Sequence, residues 1–310
     1  MKNSKTVSTM FSSRRNFIKN GIVAATVASV TPHLLFAKSK ATVAVGLQLY
    51  SVRDEMRNDP LGTLKQLAAM GYNNAEHANY VDGKFYGYAP EEFKKILDDL
   101  GITMSSGHTT LALRHWDAST NDFTDDWKKT VDDAALIGQQ YVISPWLDQA
   151  QRKDYNEYLR FMEVFNKCGE LCKDAGVKFG YHNHDFEFNL KLNDKLMFDI
   201  MMENTDANLV VQQLDVGNLL EFAKPVEVIR KYPKRFESIH VKDEIASSRE
   251  GHKYESAVLG TGLLNVRKVI KEAVKTGGAT HLIIEQEAYQ GRPPLDCMKD
   301  NLAIMKSWGY

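Results

Sequence analysis

Apolar and polar positions along this chain alternate between two periods. Apolar, β-branched runs predict strands over Val43–Tyr50, Tyr72–Glu76, Ile102–Gly107, Gln140–Ser144, Val177–Asn183, Leu209–Asp215, Phe236–Lys242 and His281–Gln286. Between them apolar residues recur at i, i+3 and i+4, as at Leu61, Leu64, Leu67 and Ala68, then Phe93, Ile96, Leu97 and Leu100. That spacing predicts amphipathic helices. Gly71, Gly101, Gly138 and Gly176 stand where a helix stops before the next strand, and glycine takes the left-handed cap there at no steric cost. Pro90 opens the second helix, where its missing N–H does no harm. Eight repeats after residue 37 give about 34 residues per unit, which fits a single closed (β/α)8 barrel over residues 38–310. A doubly wound open sheet shares the alternation, but no GxGxxG follows the first strand.

The first 37 residues are not expected to be part of that fold. Ser13-Arg14-Arg15-Asn16-Phe17-Ile18-Lys19 forms a twin-arginine pattern, followed by the apolar stretch GIVAATVASV, which runs on to LLFA. Residues 1–37 are therefore expected to be an export signal read by the twin-arginine machinery, which places the protein in the periplasm. A retained membrane anchor is the alternative, against which Thr31, Pro32 and His33 interrupt a run that is short for a bilayer. Net charge is −1, and no basic stripe suggests a nucleic-acid partner. Three cysteines without a CxxC pair read as free thiols, Cys168 and Cys172 on one helix face and Cys297 alone.

Four candidate metal ligands end successive apolar runs: His182, Asp215, His240 and Glu285. Strand ends converge on one point when strands close into a barrel. Two imidazoles and two carboxylates meeting there suit one divalent ion, Mn, Zn, Fe or Co. Strand alternation puts His184 on the side of His182, Glu287 on that of Glu285, and Lys242 on that of His240. In each pair one member is expected to bind metal while the other meets substrate. His184 and Glu287 are candidate acid–base groups and Lys242 a candidate stabiliser of negative charge, with Asp243 orienting it. Gln48, Glu76, His108, Trp146 and Asn218 complete the strand-end rim as candidate substrate contacts for a small, polyol-like carbohydrate.

HNHDFEF, LDVGN, IHVKD, the LGTG loop at Leu259 to Gly262, and IIEQE together resemble the xylose-isomerase-like barrels known as sugar phosphate isomerases/epimerases. The set also looks like the exported HNH-containing branch, which resembles inosose dehydratase and 3-keto-glycoside lyases and hydratases. In the epimerase branch the implied ligands are Glu, Asp, His and Glu on strands five to eight. Asp215, His240 and Glu285 match three of these, while His182 stands where the first carboxylate belongs. The two-face Glu–Glu proton shuttle of the epimerases is therefore not intact. Asn218 likewise stands where a second histidine often follows the strand-six aspartate. Dimers are common for such barrels, so a homodimer is the expected assembly.

The resemblance implies a divalent-metal-dependent carbohydrate lyase, hydratase or isomerase acting on a keto sugar or 3-keto-glycoside through an enediolate. The alternatives are a ketose or sugar phosphate epimerase or isomerase, and a non-catalytic exported sugar-binding barrel. Endonuclease IV shares the barrel, but EIASSREGHKYESAVLG has no well-placed Asp-x-His and the chain no basic rim.

Overall fold

The structure, a computed structural model, describes residues 43–310; the expected signal, with Arg14 and Arg15, lies outside them. Eight parallel strands close into a barrel in chain order: β1 Ala44–Gln48, β2 Asn74–His77, β3 Thr103–His108, β4 Tyr141–Ser144, β5 Lys178–His182, β6 Val210–Asp215, β7 Ser238–Val241 and β8 His281–Ile284. Helices follow each strand at Pro60–Met70, Pro90–Leu100, Asp125–Leu136, Tyr155–Asp174, Met197–Asn204, Pro225–Lys231, Val266–Glu272 and Pro294–Ser307. The expected helix stops hold: Gly71 and Gly101 are left-handed caps, and Pro90 sits in a first helical turn.

The longest helix shows how the outer layer is built. Asp154 caps it by accepting from the N–H groups of Asn156 and Glu157 at 3.0 Å each, satisfying two of the donors that a helix start leaves unpaired. Tyr158, Phe161, Met162, Phe165, Cys168 and Cys172 form its buried face. Cys168 accepts from the Trp127 indole N–H at 3.2 Å, and all three cysteines are free and buried, as expected. Burying each large apolar side chain contributes ~1.5–3 kcal/mol before entropy is counted.

Inside the barrel the lower layers are tightly packed and largely apolar, with the His281 ring centroid 5.2 Å from that of Tyr141. Tyr141, Ile143 and Val211 form a buried cluster there. Gly180 makes room for it, since a Cβ at that position would lie 2.6 Å from Ile143 Cδ1 and 2.7 Å from Val211 Cγ2. Above this plug the lining turns polar. Register places Gln48 beside Glu76 and Glu76 beside Ser106. It also sets His182 beside Gln213 and Asp215 beside His240. The packed interior thus becomes a floor for polar groups at the C-terminal mouth, where the loops add an antiparallel hairpin of Asp243–Ala246 and Tyr254–Ala257.

Candidate active site

His182, Asp215, His240 and Glu285 are all buried, and one ligand atom from each lies within 4.8 Å of the others. At Asp215, His182 and His240 a neighbour holds another polar atom of the side chain. Asp215 Oδ1 accepts the N–H groups of Gly217 (2.8 Å) and Asn218 (3.1 Å), which leaves Oδ2 for the cluster. His182 has Nδ1 3.1 Å from Gln213 Oε1, so Nε2 faces Asp215 Oδ2 at 3.9 Å. His240 has Nε2 2.6 Å from Glu76 Oε1 and Nδ1 3.1 Å from Glu285 Oε2. A ring nitrogen turned inward while the other donates to a carboxylate or amide oxygen is the usual support of a metal-bound histidine. The donor set and its outer partners therefore fit a divalent ion.

Electrostatics agree with a site built to hold positive charge. Burial, with the neighbouring imidazoles His240 and His108, holds His182 well below its ordinary value, so it is a neutral donor. Burial alone would depress His240 too, yet Glu285 and Glu76 on its two nitrogens push it up to about 10. Burial pushes Asp215 up to about 6 against the pull of Lys242. For Glu285 burial is outweighed by Lys242 and His240, which hold the carboxyl well below the usual range.

The other expected residues divide between the cavity and the floor. Lys242 Nζ lies 3.3 Å from Asp215 Oδ2 and 3.2 Å from Glu285 Oε2 and pairs with Glu287. Lys242, Glu287 and Asn218 line a cavity of about 610 Å³ beneath the hairpin. His184 packs between His182 and Trp146, with ring centroids 5.1 and 4.9 Å away. Its Nδ1 is buried without a partner among the described residues, and burial with Lys242 lowers it to about 4. Trp146 is 39% exposed and forms an open aromatic wall.

Gln48 and Glu76, expected as substrate contacts, are instead 0% exposed. Glu76 accepts from Gln48 (2.7 Å), His240, Ser106 (2.5 Å) and Gln213 (2.6 Å), with His108 Nε2 at 3.1 Å. Burial opposes its charge, but His108 and His240 hold it well below the usual carboxylate range. It is an anionic anchor under the ligands. His108 belongs largely to this floor as well, its ring stacked 5.2 Å from His240. Together with His182 and His240 it forms a second group with metal-ligand spacing.

Asp243 corrects another expectation. It does not orient Lys242. Its carboxylate accepts the N–H groups of Gly260 (2.8 Å), Gly262 (3.0 Å) and Leu264 (3.2 Å), pinning the LGTG loop. Adjacent residues of an extended chain point to opposite faces, which is why 242 and 243 part company. A Cβ at Gly262 would lie 2.2 Å from Asp243 Oδ1, so only glycine fits.

Three contributors escaped the sequence reading. Gln213 shares the inward parity of Asp215 and was legible on that ground. Glu187, inside HNHDFEF, accepts from His184 N–H at 2.8 Å and from the Tyr181 hydroxyl. Arg152 stacks over Phe186, 3.9 Å from its centroid.

A parallel barrel with convergent polar groups at the C-terminal ends of its strands defines a class of enzyme scaffold. The chain belongs to the xylose isomerase-like TIM barrel family, which matches residues 64–308. An inosose dehydratase of Clostridium botulinum (strain Alaska E43) is 28% identical over 157 residues, 46% of this chain and 52% of that protein. The chain thus spans about half the length of this curated relative. A sugar phosphate isomerase/epimerase of Parabacteroides distasonis has a solved structure 29% identical to this chain. It superposes with a TM-score of 0.72, covering 87% of this chain and 96% of its own. The E. coli 3-keto-D-glucoside 4-epimerase shares the fold at 13% identity (TM-score 0.62, 86% of this chain and 100% of that one).

Proposed function

We propose that this protein is a divalent-metal-dependent carbohydrate lyase or hydratase acting on a keto sugar or 3-keto-glycoside through an enediolate. One observation carries the reading: four buried ligands gathered within 4.8 Å, with Lys242 and Glu287 between them and the cavity. Likeness to inosose dehydratases, and to structures of sugar isomerases and epimerases, supports sugar chemistry of this kind.

His182, Asp215, His240 and Glu285 would hold the ion. When bound, a divalent cation supplies a Lewis acid that polarises a carbonyl. The remaining steps belong to the chain. The Lys242 ammonium, kept charged by Asp215, Glu285 and Glu287 despite burial, stabilises negative charge that grows on the carbonyl oxygen. The C–H beside that carbonyl gives its proton to a neutral imidazole or a carboxylate, with His184 and Glu287 the candidates. Asn218 and Trp146 orient the sugar ring. His182 in place of a carboxylate leaves one strong base beside the carbon rather than a matched pair, which favours loss of a β-oxygen over inversion.

We propose further that the protein works in the periplasm, on the strength of the twin-arginine pattern at Arg14 and Arg15. The catalytic reading is tested by incubating metal-loaded protein with 3-keto-glucosides, inososes and free ketoses, with and without chelator. Chelator-sensitive cleavage or dehydration is expected. Epimers of the free ketoses as sole products would replace the reading with an epimerase.

A further inference from the structure

Glu244 follows directly on the IHVKD segment and opens the hairpin over the cavity. Its backbone is fixed at both ends of the peptide unit. The N–H donates to Asp243 Oδ1 at 3.0 Å and the carbonyl accepts from Leu263 N–H at 2.8 Å. Across the hairpin it pairs with Ser256, and directly opposite residues share one face of a ribbon. Ser256 Oγ accepts the N–H groups of Glu287 (2.7 Å) and Ala288 (3.0 Å), so Glu244 and Glu287 stand on the same wall. The glycine of LDVGN makes the space: a Cβ at Gly217 would lie 3.1 Å from Glu244 Oε1 and 2.8 Å from Lys242 Cγ.

Glu244 is 7% exposed and lines the cavity, yet among the described residues no side chain donates to its carboxyl group. A buried carboxyl without donors is costly to ionise. The charged groups around it are Lys242, which favours ionisation, and Asp215, Glu287 and Asp243, which oppose it; burial dominates and pushes it up to about 8. Of the other carboxylates lining this cavity, Glu287 pairs with Lys242, Glu221 pairs with Lys253, Glu255 accepts from Ser247 and Gln290, and Asp185 is exposed.

We propose that Glu244 is a catalytic acid of this site, delivering a proton to the oxygen that leaves the substrate. The inference rests on the elimination reading above. In that reaction the base takes the proton from the carbon beside the ketone, and the C–H electron pair passes into the enediolate. On collapse the ketone reforms and a C=C bond appears as the β C–O bond breaks. The departing oxygen keeps that bond's electrons and takes the Glu244 proton, leaving as an alcohol or water. Glu244 is left a carboxylate, and the proton on the base returns to it through solvent. No oxidant or reductant is needed.

The test compares methyl and 4-nitrophenyl 3-keto-glucosides with metal-loaded wild type, Glu244→Gln and Glu244→Ala. Nitrophenolate departs without a proton, whereas methoxide does not. Both variants should cleave the methyl substrate about 100-fold more slowly and the nitrophenyl substrate no more than about fivefold more slowly. Exchange of the C2 hydrogen in deuterated water should persist, and melting curves recognise a folding defect confined to one variant. Equal losses on both substrates, or none on either, would overturn the assignment while leaving the elimination reading intact. A wild type inert to both substrates would remove that reading, and the role of Glu244 with it.

Discussion

At Asp215 one carboxylate oxygen is occupied by two backbone N–H groups, and the other faces the cluster with Lys242 Nζ 3.3 Å away. The same division of labour recurs at His182 and His240, and it makes the ligand set testable residue by residue. Asp215→Ala, His240→Ala or Glu285→Ala should each lose stoichiometric metal and activity while the circular dichroism of the barrel is kept, because the apolar plug and outer layer lie elsewhere. Full metal content in any one of them would remove that residue from the set. The convergence of these candidate ligands was legible because each closes an apolar run, and strand ends in a closed barrel meet at its mouth. Glu76 and Gln48 were misread for the same reason. They too sit at strand ends, but at the level of Ser106 and beneath His240, and a one-dimensional pattern does not report depth along the barrel axis.

In HNHDFEF the chain leaves β5 and makes a single helical turn, Phe186–Asn189, which folds Glu187 back under His184. Nothing in the spacing of the motif announces that turn, so the role of Glu187 was not readable. Burial pushes its carboxyl up to about 7, above the ordinary 4.5. The folded state therefore binds this proton more tightly than the unfolded chain. The stabilisation is fully present below about 4.5 and is lost as pH rises toward 7. Glu187→Gln, neutral throughout, should lack that decline. Between pH 4.5 and 7.5 the stability of wild type relative to the variant should fall by on the order of 2 kcal/mol, read from urea melts. Parallel pH profiles would contradict a buried, proton-holding Glu187. The hairpin of Asp243–Ala246 was equally hidden, since HVKD reads as one strand end although alternation sends Lys242 to the site and Asp243 to the LGTG loop.

For the whole molecule, the eightfold alternation of periods sufficed to name a closed barrel, and the structure confirms it strand for strand. No helix among the described residues is long and apolar enough to cross a membrane. The proposed export signal lies outside them. Lysine in place of both Arg14 and Arg15 should leave the protein in the cytoplasmic fraction, because the paired arginines are the part the receptor reads; undiminished periplasmic delivery would point to another route.

We propose that this barrel removes a proton beside a ketone and expels a β-oxygen instead of returning the proton to the other face. The most direct measurement follows a methyl 3-keto-glucoside in deuterated water by NMR, with metal-loaded protein and a chelated control. Free methanol and an unsaturated keto sugar or its hydrate are expected, with neither formed in the control. Epimeric keto-glucoside carrying deuterium at the inverted carbon, with the glycosidic bond intact, would contradict it.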